Sequence, residues 1–190
     1  MSISEPTWQL LTSEFSKQLK GHLGLPLWKV LSDSGSLTDL VKRDCKGAFS
    51  VSLLSQTEDY PQLSEAAYLD ISQNHKAVIR DVLLCDDAAP LVFAHSVMPL
   101  STLEGAGKVL GDMGSKPLGA ELFSNPLIRR GEIQVTALDP QHPLYIRATS
   151  QIAEKPSQLW GRRSAFFVGE NPLLVCEFFL PTWLPVCPTK

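Results

Sequence analysis

Apolar positions recur every three or four residues through the first 45 residues, and at alternate positions or in short unbroken runs through most of the remainder. WQLLTSEFSKQL, LPLWKVL and SLTDLVKRDC carry the helical spacing, the last two parted by the turn-rich SDSGS. GAFSVSLLS (47–55) and AAYLDISQ (66–73) read as strands. HKAVIRDVLLC and LVFAHSVMPL, joined by DDAAP, predict a hairpin. STLE then pairs Ser101 with Glu104 as a capping box, which opens a helical segment interrupted by glycines at 105, 107, 111 and 114 and continued by KPLGAELF. EIQVTAL and LYIRATSQI are strand candidates around a loop in ALDPQHP, and WGRRSAFFV, the turn GENP and PLLVCEFFLP close the chain. Helices followed by strands on short turns predict an α+β fold around an antiparallel sheet. With no repeat, low-complexity stretch or flexible linker, a single domain over residues 1–190 is expected.

Charge interrupts this pattern at two places. Glu177 stands in the apolar run LLVCEFFL, and Arg80 stands among Val78, Ile79, Val82, Leu83 and Leu84. A buried carboxylate is costly unless paired or protonated, and Arg80 is the conspicuous partner for it. Alternation puts Val78, Arg80, Val82 and Leu84 on one strand face, and Leu173, Val175, Glu177 and Phe179 on another. If both faces line one cavity, a small flat anion fits it: Arg80 forks onto a carboxylate, apolar walls pack a ring, and Glu177 makes one hydrogen bond at the far end. A self-satisfied salt bridge accounts for the same two residues, and the spacing alone leaves both readings open.

Other polar residues change the picture less. Arg162 and Arg163 are adjacent, so they face opposite sides of a strand and at least one is expected in solvent. Arg129 and Arg130 pose the same question, and Lys116 could add a positive charge beside the glycine-rich segment. His95 alternates with apolar neighbours, as a hydrogen-bonded histidine of a half-buried strand would. His22, His75, His95 and His142 are scattered, and Cys45, Cys85, Cys176 and Cys187 form no CxxC pair, so no metal site is expected. A net charge of −3 gives no reason to expect a nucleic-acid partner. No apolar run is long enough to span a membrane, the first residues lack the pattern of a secretory signal, and a reducing cytoplasm suits the cysteines.

RDVLLCDDAAPLVFAHSVMPLSTLEG, KPLGAELF and LWGRRSAFFVGENPLLVCEFFLP follow one another between about residue 77 and residue 181, and together they resemble the chorismate pyruvate-lyase family; SLTDLVKR extends the match weakly toward the N-terminus. The resemblance implies cleavage of chorismate to 4-hydroxybenzoate and pyruvate for ubiquinone synthesis, by a cytoplasmic monomer with no cofactor and a sheet of about six strands. It puts the family's arginine on Arg80, its glutamate on Glu177, and backbone contacts on Leu118 and Leu37. Arg80 and the Leu118 amide would hold the ring carboxylate, and Glu177 the ring hydroxyl. The family often has an arginine where this chain has His95, which makes His95 a candidate contact to the enolpyruvyl carboxylate. The segment before Trp160 is longer than the family pattern. Residues 32–44 and 101–119 would serve as lids, with strong product inhibition as the consequence. The rival reading is a non-catalytic effector-binding module of similar fold, which normally follows a basic DNA-binding domain that the N-terminal region does not resemble.

Overall fold

The computed structural model describes residues 6–184. Cys187, one of the four cysteines considered above, lies outside the described residues. Eight strands, β1 (Gln9–Leu10), β2 (Phe49–Asp59), β3 (Ala77–Asp86), β4 (Ala89–Pro99), β5 (Ile128–Arg130), β6 (Gln134–Leu138), β7 (Leu159–Val168) and β8 (Asn171–Phe179), form one antiparallel sheet. Its order is β1-β6-β7-β8-β4-β3-β2, with β5 beside the end of β7. Six strands are substantial; β1 has two residues and β5 three, which accounts for the two beyond the six expected. Seven α-helices complete an α+β fold: α1 (Ser13–Leu23), α2 (Leu25–Ser32), α3 (Leu37–Asp44), α4 (Leu63–Leu69), α5 (Lys108–Gly111), α6 (Leu118–Ser124) and α7 (Pro143–Ala148).

The two central hairpins follow from local chemistry. Asp87 takes φ +50 between β3 and β4, and its carboxylate accepts the Ala48 N–H at 2.9 Å. Gly169 takes φ +62 between β7 and β8, where a side chain would be strained.

Four local expectations need correction. The first half of AAYLDISQ lies in α4 and the rest in a turn, because Glu65 reaches back to accept the Gln62 N–H at 2.9 Å and Asp70, at φ +54, ends the helix. LYIRATSQI begins in α7, started by Pro143 and by His142 Nδ1 accepting the Leu144 N–H at 3.1 Å. Both segments are apolar enough to pass for strands, and their caps decide otherwise. STLE is a turn, not a helix start: the Thr102 hydroxyl donates to the Pro172 carbonyl at 2.6 Å, and helical structure begins with a 3-10 turn at Gly105–Gly107. A Cβ on Gly107 would lie 1.8 Å from the Thr102 carbonyl oxygen, so only glycine lets this segment fold back. Finally, Gln9–Leu10 pairs with Val135 and Gln134 as a strand, and Thr12 caps the helix that follows.

Helices cover both sheet faces. On one, Leu83, Phe93, Val97, Leu174, Cys176 and Phe178 pack with residues of α4 and α7. On the other, two clusters divide the space: α1, α2 and α3 pack on Val82, Leu84, Val92 and Phe179, while α5 and α6 pack on Met98, Phe166, Leu173 and Val175. This is why the expectation that Arg162 or Arg163 would reach solvent fails: they are 0% and 7% exposed. Among the described residues no helix is long and apolar enough to cross a membrane.

Candidate active site

Strand alternation on β3 directs Arg80 into the seam between the two clusters. Arg80 is 1% exposed, and its Nη2 donates to the carbonyls of Gly114 at 2.8 Å and Lys116 at 3.0 Å. Its buried Nε has no acceptor, and among the described residues no carboxylate forms an ion pair with it. Burial pushes its pKa down, as desolvation does to any cation without a counter-charge.

Glu177 does not pair with Arg80. β4 lies between their strands, with Arg80 opposite Ser96 and Glu177 opposite Ala94. The partner of Glu177 is Arg162, directly across β7, whose Nε donates to Oε2 at 2.6 Å. Arg162 Nη1 also donates to the carbonyls of Val30 (2.8 Å) and Asp33 (2.5 Å). It thereby ties the C-terminal end of α2 to the sheet. Neither residue's sequence neighbourhood could reveal this pair, since it depends on strand order.

Arg80, Glu177, Thr38, Val82, Ala94, Ser96, Leu118, Phe123, Phe166 and Val175 are among the residues lining one cavity. It leaves about 30 Å³ for the centre of a water-sized sphere, enough for water. Leu37 and Leu118 are the first residues of α3 and α6, positions whose N–H groups have no acceptor within their helix. The two first turns meet: a Cβ on Gly119 would come within 2.7 Å of Thr38 Oγ1. Leu118 lines the cavity; Leu37 is buried just behind Thr38.

His95 is elsewhere. It is 1% exposed on the opposite face of the sheet, with Nδ1 2.6 Å from Asp81 Oδ1 and Nε2 2.8 Å from Glu65 Oε1. Alternation explains the separation, since His95 shares a face with Phe93 and Val97, and Arg80 faces the other way from Asp81. Burial alone would lower the histidine's pKa, but the two carboxylates overrule it and raise it to about 9. Lys116 is exposed and offers Arg80 its carbonyl, not its ammonium. Arg129 is exposed, its guanidinium 4.2 Å from the Phe167 ring centre. The sequence reading missed Arg162 and left Arg130 undecided. Arg130 lies over Phe123 and Phe166, its Nε donating to Ser164 Oγ at 3.0 Å and its Nη1 to the Ser34 carbonyl at 3.1 Å. The signal available was the adjacency in WGRRS: if both faces are covered, both arginines are buried.

A covered antiparallel sheet thus holds a small cavity floored by Arg80, a buried arginine with no carboxylate partner among the described residues. The chain matches the family described as "Chorismate lyase" over residues 6–185. It belongs to the chorismate lyase family and is an enzyme of the lyase class. It is 36% identical over 177 residues to the "Probable chorismate pyruvate-lyase" of Nitrosospira multiformis, covering 93% of this chain and 94% of that one. It is 41% identical over 156 residues to the protein of the same name in Aromatoleum aromaticum, covering 81% and 84%. Among solved structures it resembles the effector domain of PhnF from Mycobacterium smegmatis, with a TM-score of 0.57 at 12% identity, covering 76% of this chain and 88% of that one. The C-terminal domain of a histidine utilization repressor from Pseudomonas syringae also gives a TM-score of 0.57, at 11% identity and 75% and 99% coverage. At such identity these two structures share the fold alone.

Proposed function

We propose that the protein converts chorismate to 4-hydroxybenzoate and pyruvate in the Arg80–Glu177 cavity, within a single domain over residues 1–190. The observation that carries this reading is Arg80, a buried cation with a free donor and no carboxylate of the described chain beside it. The ring carboxylate of the substrate supplies that charge, with the amides of Leu118 and Leu37 as further donors. Glu177 accepts the ring hydroxyl, and Arg162 acts as a positioning residue by holding the carboxylate in place. The reaction breaks the ether C–O bond and removes the hydrogen of the adjacent hydroxyl-bearing carbon. The ring becomes aromatic, and that hydrogen ends on the enolpyruvyl methylene as pyruvate forms. The change is redox-neutral, and aromatisation drives it. What the protein adds is orientation and stabilisation of charge on the departing enolpyruvyl oxygen, and the reading assigns no cofactor.

The segment 105–117, which bonds to Arg80 through Gly114 and Lys116, and the loop after α2 are the lids of this reading. A product held by the same arginine leaves slowly, which gives strong product inhibition. The proposal extends to a cytoplasmic monomer whose product feeds ubiquinone synthesis. The experiment is a progress curve: purified protein, chorismate and no added metal, with 4-hydroxybenzoate followed by ultraviolet absorbance. The expected result is a first-turnover burst and a slower steady state, both abolished in Arg80→Met. Binding of 4-hydroxybenzoate with no turnover would instead make the protein an effector-type binding module.

A further inference from the structure

We propose that Arg130 binds the second carboxylate of the dianionic substrate, and so distinguishes the substrate from its aromatic product. The inference rests on the preceding reading, in which Arg80 and Glu177 hold the two ends of the ring. The ether carbon of the substrate adjoins the hydroxyl-bearing carbon. With the hydroxyl on Glu177, the enolpyruvyl carboxylate must hang at the Glu177 end of the cavity, away from Arg80.

Few cations are available there. His95 lies on the other face of the sheet, and Lys116 is exposed. Arg162 is 0% exposed and its charge is already paired with Glu177. Arg130 remains. Its guanidinium lies 5.7 Å from the centre of the Phe123 ring and 5.4 Å from that of Phe166, and both rings line the cavity. Its Nε and Nη1 are held by Ser164 and Ser34, which aim the group without neutralising it, and Nη2 stays available. No ion pair to Arg130 occurs among the described residues. Asp33, the nearest carboxylate on the loop, folds back onto the Gly35 N–H at 2.6 Å. Burial, then the repulsion of Arg162, brings the pKa of Arg130 down to about 10, against the weaker pull of Glu177 and Asp33. Arg162 is paired with Glu177, while Arg80 and Arg130 have no ion pair among the described residues, so two guanidiniums are open to the two carboxylates of a dianion. Once the bond is cleaved, the ring keeps one carboxylate and the other departs with pyruvate, so Arg130 has nothing to hold in the product complex.

Two ligands isolate this contact without turnover: 4-hydroxybenzoate, and 3-(carboxymethoxy)-4-hydroxybenzoate, which adds an ether-linked carboxylate beside the hydroxyl. Wild type should bind the dicarboxylate more tightly, and Arg130→Met should weaken that binding roughly fivefold to tenfold, the size of a partly exposed charge pair. Its affinity for 4-hydroxybenzoate should stay within about twofold, which also reports an intact fold. Arg130→Lys should recover part of the loss, and kcat/KM for chorismate should follow the dicarboxylate. Equal weakening of both ligands, or of neither, overturns the proposal. A wild type that turns over no chorismate refutes the lyase reading, while the ligand pair still decides the role of Arg130.

Discussion

Arg80 and Arg162 are buried to the same degree, at 1% and 0% exposure, yet they stand in opposite electrostatic situations. Arg162 has a carboxylate and two helix-end carbonyls; Arg80 has two carbonyls and an unbonded Nε. A buried charge without a counter-charge costs stability, and removing one partner of a buried pair costs more. Arg80→Met should therefore raise stability, by about 1 kcal/mol, in urea denaturation of the ligand-free protein. Arg162→Met should lower it by about 3 kcal/mol, because Glu177 and two carbonyls lose their donor. Equal losses in both variants would mean that Arg80 is a structural residue. At this scale the sequence marked Arg80 and Glu177, which line one cavity, since a charge inside an apolar run is visible in one dimension. It assigned the wrong pair, because pairing across strands depends on their order.

At the scale of elements, α4 and α7 show where periodicity runs out: their residues are apolar on nearly every side, and Glu65, Asp70 and His142 decide the conformation through caps. Those helices are also fastened electrostatically. Arg147 of α7 reaches Asp81 at 2.7 Å, Asp81 reaches His95, and His95 reaches Glu65 of α4, while Cys176 faces the same cluster from β8. His95 has its pKa raised from 6.5 to about 9, so its contribution is complete below about pH 6.5 and is lost as pH rises through about 9. The pKa of Glu65 is affected first by burial, which raises it, but the bonds and charge of His95 lower it below 4.5. Its contribution holds above that pH and is lost in acid. Stability should fall between about pH 6.5 and about pH 9.5 by at most about 3 kcal/mol, and His95→Gln should flatten that fall. Denaturation midpoints at the two pH values check this; an unchanged slope in the variant would show that the cluster does not titrate.

At the scale of the molecule, the sheet separates two kinds of charge. One face carries a closed network that clips helices down; the other carries a cationic seam between two apolar clusters. The α+β class followed from the order of elements, six of the strands from alternation, and the burial of β8 on both faces from its apolar run, but the covering of both faces of β7, which carries Arg162 and Arg163, did not. We propose that Arg80 has no carboxylate partner among the described residues because a ligand carboxylate is its partner. A titration of wild type and Arg80→Met with 4-hydroxybenzoate and its neutral isostere 4-hydroxybenzamide tests this most directly. Replacing the carboxylate and replacing the arginine should each weaken binding at least about tenfold, and the two losses should not add. Wild-type protein that binds the amide as tightly as the acid would contradict it.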